Sequence, residues 1–166
     1  MLTDANVAEA GVVATLFRAS FVETFGALYT AENLARFLAE KSQGVFAAEL
    51  ADPQFAFQIA WQDGEAIGFA KLGPPELPVE TPPATIELRQ LYVLERATGG
   101  GVGALLMAWT MRTAREREAR HLQLSVYTDN HRARRFYQHH GFAEVGQYHF
   151  MVGDHADEDV VLRVVL

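Results

Sequence analysis

The chain of 166 residues contains no cysteine. Disulfides, thiolate metal sites and a cysteine nucleophile are therefore excluded, and sulfur redox chemistry is largely excluded with them. Proline is scarce and confined: five of the six fall in "GPPELPVETPPA", residues 73–84. That stretch must be a surface loop, because proline interrupts both helix and sheet ladders. Positive charge is also in short supply, with 14 Lys and Arg against 21 Asp and Glu for a net charge of −7. A nucleic-acid partner is not expected, since phosphate contacts need a basic patch. The run "RTAREREAR" alternates sign, with Glu116 four residues before Arg120, as a solvated helix face does. No stretch reads as long and apolar enough to span a bilayer. The N-terminal "MLTDANVAEAGVVATLF" has an acidic residue and no basic cluster before its apolar residues. No membrane partner and a cytoplasmic location are the expectation.

What is present suits one compact domain covering residues 1–166: 49% hydrophobic and 21% charged residues give enough apolar surface for a real core. The first fifty residues carry apolar side chains at helical spacing in "VAEAGVVATLFRASFVETF" and "TAENLARFLAEK", with Thr30 as N-cap of the second helix and Glu32 in its first turn. In "FAFQIAWQDGEAIGFAKLG" the alternation of Phe57, Ile59 and Trp61 ahead of Asp63-Gly64 predicts a hairpin. "TIELRQLYVL" reads as a third strand. A helix with Val102, Leu105, Leu106 and Trp109 on one face follows, then a strand in "HLQLSVYT". "DNHRARRFYQHHGF" reads as a short helix capped near Asp129 or Asn130 and stopped by Gly141. Two last strands, "AEVGQYHFMVG" and "DVVLRVVL", are separated by an acidic turn, "DHADE". The order predicts an α/β or α+β layered sheet with an antiparallel front half and a crossover near the middle.

Four of the 13 glycines stand at 99, 100, 101 and 103, between the third strand and an apolar helix. Glycine there lets bare amides approach a ligand closely at the positive end of a helix, which makes an anion cradle suited to a diphosphate. Gly99, Gly101 and Ala104 match one variant of the dinucleotide fingerprint, but the stretch lies in the second half of the chain, behind a hairpin, and no Gly-Lys-Ser/Thr follows. In the second cluster, Asn130, Ala133 and Tyr137 lie on one helical face.

"LYVLERATGGGVGALL" and "LSVYTDNHRARRFYQHHGF" together resemble the GCN5-related N-acetyltransferase (GNAT) family. Its pattern is a strand, an R/Q-x-x-G-x-G/A loop and helix, a second strand and N-x-x-A-x-x-F-Y-x-x-x-G-F. The resemblance covers about Ile86 to Phe142 in its motifs. Asn130, Ala133, Phe136, Tyr137, Gly141 and Phe142 all match, whereas Thr98 stands at the Arg/Gln position. More loosely, "SFVETFGALYTAENLARFLAE" and "YHFMVG" resemble the family's bacterial polyamine-acetyltransferase-like branch.

The resemblance implies a mixed, mostly antiparallel twisted sheet with a central splayed parallel strand pair and helices on both faces. It implies acetyl-CoA as co-substrate, held by Leu91, Tyr92 and Val93, by the loop Thr98, Gly99, Gly100, Gly101, Val102, Gly103 and Ala104, and by Asn130 and Tyr137. Arg132, Arg134 and Arg135 are candidates for the adenosine phosphates. Direct acetyl transfer to a primary amine is implied. An amine of pKa about 10.4 costs roughly 4 to 5 kcal/mol to neutralise at pH 7, so a base is needed, and Glu87 on the central strand occupies the matching position. Tyr137 would hydrogen-bond or protonate the departing thiolate. Glu87 also reads as a strand residue paired with Arg89, and Asn130 as a plain N-cap. The acceptor, a small-molecule or peptide amine, would be framed by Phe25, Tyr29, Glu32 and the proline loop, with a polyamine preferred. No metal is expected, since His139 and His140 are merely adjacent and no H-x-x-x-H spacing occurs. The apolar last strand, "VVLRVVL", is a candidate to pair across a homodimer edge. Two other functions stay open: a non-catalytic acyl-CoA sensor or partner subunit, and a nicotinamide-dinucleotide enzyme using the glycine loop.

Overall fold

The computed structural model describes residues 1–166. The chain opens with a short strand β1 (Leu2–Asp4), which the composition did not reveal, followed by α1 (Ala10–Phe25). Next come α2 (Ala31–Glu40) and a third N-terminal helix, α3 (Gln43–Ala51), also unforeseen because it is short and carries Gly44 in its first turn. Strands β2 (Ala56–Gln62) and β3 (Glu65–Gly73) form the expected hairpin. Both turn residues take positive φ, 51° at Asp63 and 82° at Gly64, the backbone that a two-residue hairpin turn demands. Then follow β4 (Thr85–Val93), α4 (Val102–Glu116), β5 (His121–Tyr127), α5 (His131–His139), β6 (Ala143–Val152) and β7 (His155–Val165).

The seven strands form one sheet in the order β1-β2-β3-β4-β5-β7-β6, antiparallel except for the parallel pair β4–β5. Two apolar cores cover its faces. On one, Leu106, Met107 and Trp109 of α4 and Tyr137 of α5 meet Leu88, Leu122, Leu124 and Leu162. On the other, Val13, Phe17 and Phe21 of α1 with Phe37 and Phe46 meet Phe57, Ile59 and Phe69.

Three expectations are corrected. The last strand is no edge: β7 lies between β5 and β6, which leaves β1 and β6 outermost. Most of "DHADE" is not a turn but the start of β7, where Asp157 pairs Phe150 and Asp159 pairs Tyr148 in register. Finally, the helical run Val7–Leu28, with mean hydropathy 1.3 over a membrane-length window, is long and apolar enough by length and composition to cross a membrane. Here it lays Val13, Leu16, Phe17 and Phe21 on the sheet as a core helix does.

One irregularity positions the site. Along β4 the partner of Lys71 is Gln90 and that of Leu72 is Leu88, so Arg89 is an extra residue, a β-bulge. The bulge reverses the alternation: Ile86 and Leu88 face α4, and so do Leu91 and Val93, while Tyr92 and Leu94 face α1. Ladder pairing of β4 with β5 is confined to Thr85–Glu87 against His121–Gln123. Beyond it the two strands separate.

Candidate active site

The separation opens a cleft of about 790 Å3, lined by β4 from Leu88 to Val93, β5 from Leu124 to Tyr127, the glycine loop and one face of α5. It reaches Thr24 and Phe25 of α1 on the far side of the sheet. In the open segment, the main-chain groups of Leu91, Tyr92 and Val93 that point toward β5 have no ladder partner.

At one mouth the loop turns through Gly99 and Gly101, with φ of 82° and 83°. A Cβ at either glycine would meet open space, so the constraint is conformational rather than steric. Gly101 caps α4 without any side chain. The first amide to close a helical bond is that of Leu105, to the Gly101 carbonyl at 3.1 Å. The amides of Val102, Gly103 and Ala104 thus remain free at the positive helix end, a geometry that fits a diphosphate. Thr98 turns its hydroxyl onto the Glu95 carbonyl at 2.7 Å. Gly100 completes the turn; Thr98, Gly99, Gly101, Gly103 and Ala104 all line the cleft.

From α5, Asn130, Arg132, Arg135 and Tyr137 line the same cleft. The Asn130 side chain accepts the Ala133 amide at 3.1 Å, so it is the helix N-cap. Arg134 is drawn away to the Thr128 carbonyl, at 3.0 Å, and toward Glu144. Tyr137, 9% exposed, packs on Phe136 and Phe142. Burial alone pushes its phenol pKa well above the usual value, so it keeps its proton at any working pH.

Glu87 lies at the closed end of the β4–β5 seam, buried and fully engaged. One carboxylate oxygen accepts the amides of Glu76 and Leu77 at 2.9 and 3.1 Å and the Gln123 amide at 3.3 Å. The other faces the Arg89 Nε at 3.2 Å. Gln123 in turn accepts from Arg163, whose guanidinium also reaches the Glu80 carbonyl. The proline loop is thereby tied to the sheet.

On the α1 side of the open end, the structure assembles residues that sequence reasoning had scattered or missed. Phe25 lines the cleft, and Tyr29 stacks on Phe21 and donates its hydroxyl to Asp157. His155 Nε2 lies 3.2 Å from the other Asp157 oxygen. Burial and the bond to Asp157 push the Tyr29 phenol upward. Asp159, 7% exposed, stands opposite Tyr127 of β5 and Tyr148 of β6. Burial raises its carboxyl to about 7, and the nearby Ser125 hydroxyl partly offsets that rise. Glu32 stays exposed on the first turn of α2. The period-2 alternation of Val160, Leu162 and Val164 against Asp157, Asp159 and Arg163 was the available signal that these carboxylates belong to a strand. His139 and His140 sit edge to face, with His140 Nδ1 at the Phe136 carbonyl.

This chain is similar to several known proteins. The acetyltransferase (GNAT) family profile matches residues 15–142. An uncharacterized N-acetyltransferase of Mycobacterium tuberculosis is 35% identical over 132 residues, 79% of this chain and 81% of that protein. The aminoalkylphosphonate N-acetyltransferase of Salmonella typhimurium is 31% identical over 99 residues, 60% of this chain and 64% of that one. Among solved structures, the PaiA N-acetyltransferase of Thermoplasma acidophilum in complex with coenzyme A superposes with a TM-score of 0.78 at 18% identity, covering 100% of this chain and 99% of that one. With a splayed parallel strand pair, a glycine cradle and a matching family profile in one chain, the protein belongs to the acetyltransferase (GNAT) family and is an acetyl-CoA-dependent N-acetyltransferase.

Proposed function

We propose that the protein acetylates the primary amine of a small cationic acceptor, a polyamine being the preferred class. The observation that carries this reading is the two-sided cleft: amides and arginines at one mouth, carboxylates and phenols beside the other. Acetyl-CoA, when bound, supplies an activated acyl carbon and a thiolate leaving group. The free amides of Val102, Gly103 and Ala104 hold the diphosphate, with Gly99, Gly100 and Gly101 permitting the approach and Arg132 and Arg135 nearby. Unpaired main-chain groups of Leu91, Tyr92 and Val93 orient the pantetheine arm, and Asn130 fixes the start of α5. Tyr137, kept protonated by its burial, gives a hydrogen bond or proton to the departing sulfur.

The balance is simple: the ammonium loses two protons, a C–N bond replaces the C–S bond, one proton ends on sulfur and the other reaches solvent. On the acceptor side, Asp157 and Asp159 favour a positively charged substrate and oppose an anionic one. A phosphonate-bearing amine is accordingly expected to be a poor acceptor. The cytoplasm is the expected location, since a highly charged thioester does not cross membranes and must be met where it is made.

The test is thiol release from acetyl-CoA across spermidine, putrescine, 2-aminoethylphosphonate, amino-acid amides and a lysine peptide. Release with the polyamines ahead of the phosphonate supports the reading. Coenzyme A binding without release for any amine favours the non-catalytic sensor instead.

A further inference from the structure

The acceptor ammonium must give up a proton before it can attack, and the carboxylate expected to take it is ill placed. Glu87 accepts from two backbone amides and Gln123 and faces Arg89, so each of its oxygens is already occupied. It also sits where β4 and β5 are still paired, rather than where the cleft is open.

Asp159 differs on each count. It lies four residues along β7 from Arg163, at the open end, opposite Tyr127. Its neighbour on the same face, Asp157, is held by Tyr29 and His155. Asp159 has no such partner: of its neighbours only the Ser125 hydroxyl favours its ionised form, and Ser125 and Tyr127 both line the cleft. Tyr92 links it to the other end of the reaction: burial pushes that phenol up, and both Tyr137 and Asp159 act on it electrostatically.

We propose that Asp159 is the proton acceptor for the substrate ammonium, directly or through one water. This rests on the reading of the cleft as an amine acetyltransferase site. The carboxylate oxygen takes one N–H proton, leaving the nitrogen lone pair free to form the C–N bond, and passes the proton to solvent after product leaves. The groups facing it are Tyr92 from β4, Ser125 and Tyr127 from β5, Tyr148 from β6, Asp157 on its own strand and Tyr29 beyond α1. Those that shift its carboxyl include no cation, so burial and Asp157 keep its basicity close to neutral pH, where a proton acceptor works best.

The experiment is the pH profile of kcat/KM with the best amine of the panel above, for wild type, Asp159→Asn, Asp159→Glu and Ser125→Ala. Wild type should show an acid limb near pH 7. Asp159→Asn should lose that limb and fall by roughly 10²- to 10⁴-fold, with unchanged coenzyme A affinity by calorimetry as the sign of an intact fold. Asp159→Glu should recover a limb. Ser125→Ala, a mild change, should move the limb to higher pH by removing a nearby hydroxyl that favours the ionised form. An active Asp159→Asn enzyme with its limb intact, or a Ser125→Ala limb that does not move, overturns the assignment while leaving the acetyltransferase reading in place. No turnover of any amine by wild type would overturn both.

Discussion

The seam between β4 and β5 has a closed end and an open end, and the two treat the same kinds of side chain in opposite ways. At the closed end, in-register pairing brings Glu87, Gln123 and Arg163 into one cross-strand row, where Glu87 meets Arg89, Gln123 and two amides of the proline loop, and Arg163 meets Gln123 and the Glu80 carbonyl. One bulge later, the strands part, main-chain groups lose their partners, and Asp159 on the same face of the sheet meets no cation. A single extra residue in β4 thus separates a structural seam from a reactive one. The comparison breaks most visibly at Glu87. Glu87→Gln keeps the shape but sets an amide against donors and removes the charge facing Arg89. We expect a loss of about 3 kcal/mol, as for other broken buried pairs, read as a Tm lower by roughly 6–12 °C.

At the open end, the next largest effect is expected at Gly101. Gly101→Val forces a branched side chain into φ of 83° at the head of α4. The strain there, about 2 kcal/mol, must be relieved by moving the amides of Val102 to Ala104. Coenzyme A affinity measured by calorimetry should drop about thirtyfold, since 1.4 kcal/mol is a factor of ten, while the Tm of the free protein changes far less than in Glu87→Gln. Equal losses in both measurements would mean that the loop is structural rather than a cradle.

How legible each end was in the sequence follows from the same contrast. The glycine loop and the α5 motif are local: their residues lie within a few positions of each other, and Asp63-Gly64 announced its hairpin in the same way. The paired row around Glu87 was not legible. It joins residues 76, 87, 123 and 163, and only the strand order brings them together. Asp157 falls in a stretch that reads as an acidic turn because acidic residues are depleted in strands, whereas Asp159 reads correctly as the start of the last strand. The two carboxylates are tolerated in β7 because that stretch faces phenols, Tyr29 on Asp157 and Tyr127 opposite Asp159, instead of a wholly apolar core. The parallel pair was legible; the bulge that splays it was not, since nothing in "ELRQL" distinguishes an extra residue from a regular one.

A smaller effect should separate Tyr137 from the cradle. Tyr137→Phe removes one hydroxyl from a residue otherwise packed against Phe136 and Phe142, so the fold and coenzyme A affinity should change little. The thiolate is already a fair leaving group, with a pKa near that of free cysteine, about 8.5. Losing the donor should therefore lower kcat roughly tenfold, toward the small end for acid catalysis. Single-turnover thiol release is the measurement. An unchanged rate would make this phenol a packing residue.

The smallest effect is the one that sets the two carboxylates apart by sign. The carboxyl of Asp159 is raised to about 7 in the folded chain, against about 3.9 when unfolded. Between those values the folded protein binds the extra proton, so this group's contribution to stability is complete below about pH 4 and is lost as pH rises through about 7. Asp159→Asn does not titrate and should escape that loss. The full shift corresponds to at most about 4 kcal/mol, and water admitted by the open cleft reduces the realised part to about 1 kcal/mol. The variant should therefore melt about 2–4 °C above wild type at pH 8, with the difference shrinking toward zero at pH 4, whereas Glu87→Gln should melt below wild type. A chain gives up stability at a carboxylate it needs for proton transfer and gains it at one that holds strands together. If both variants shift Tm in the same direction at pH 8, Asp159 is as well satisfied as Glu87, and the open end is not the reactive one.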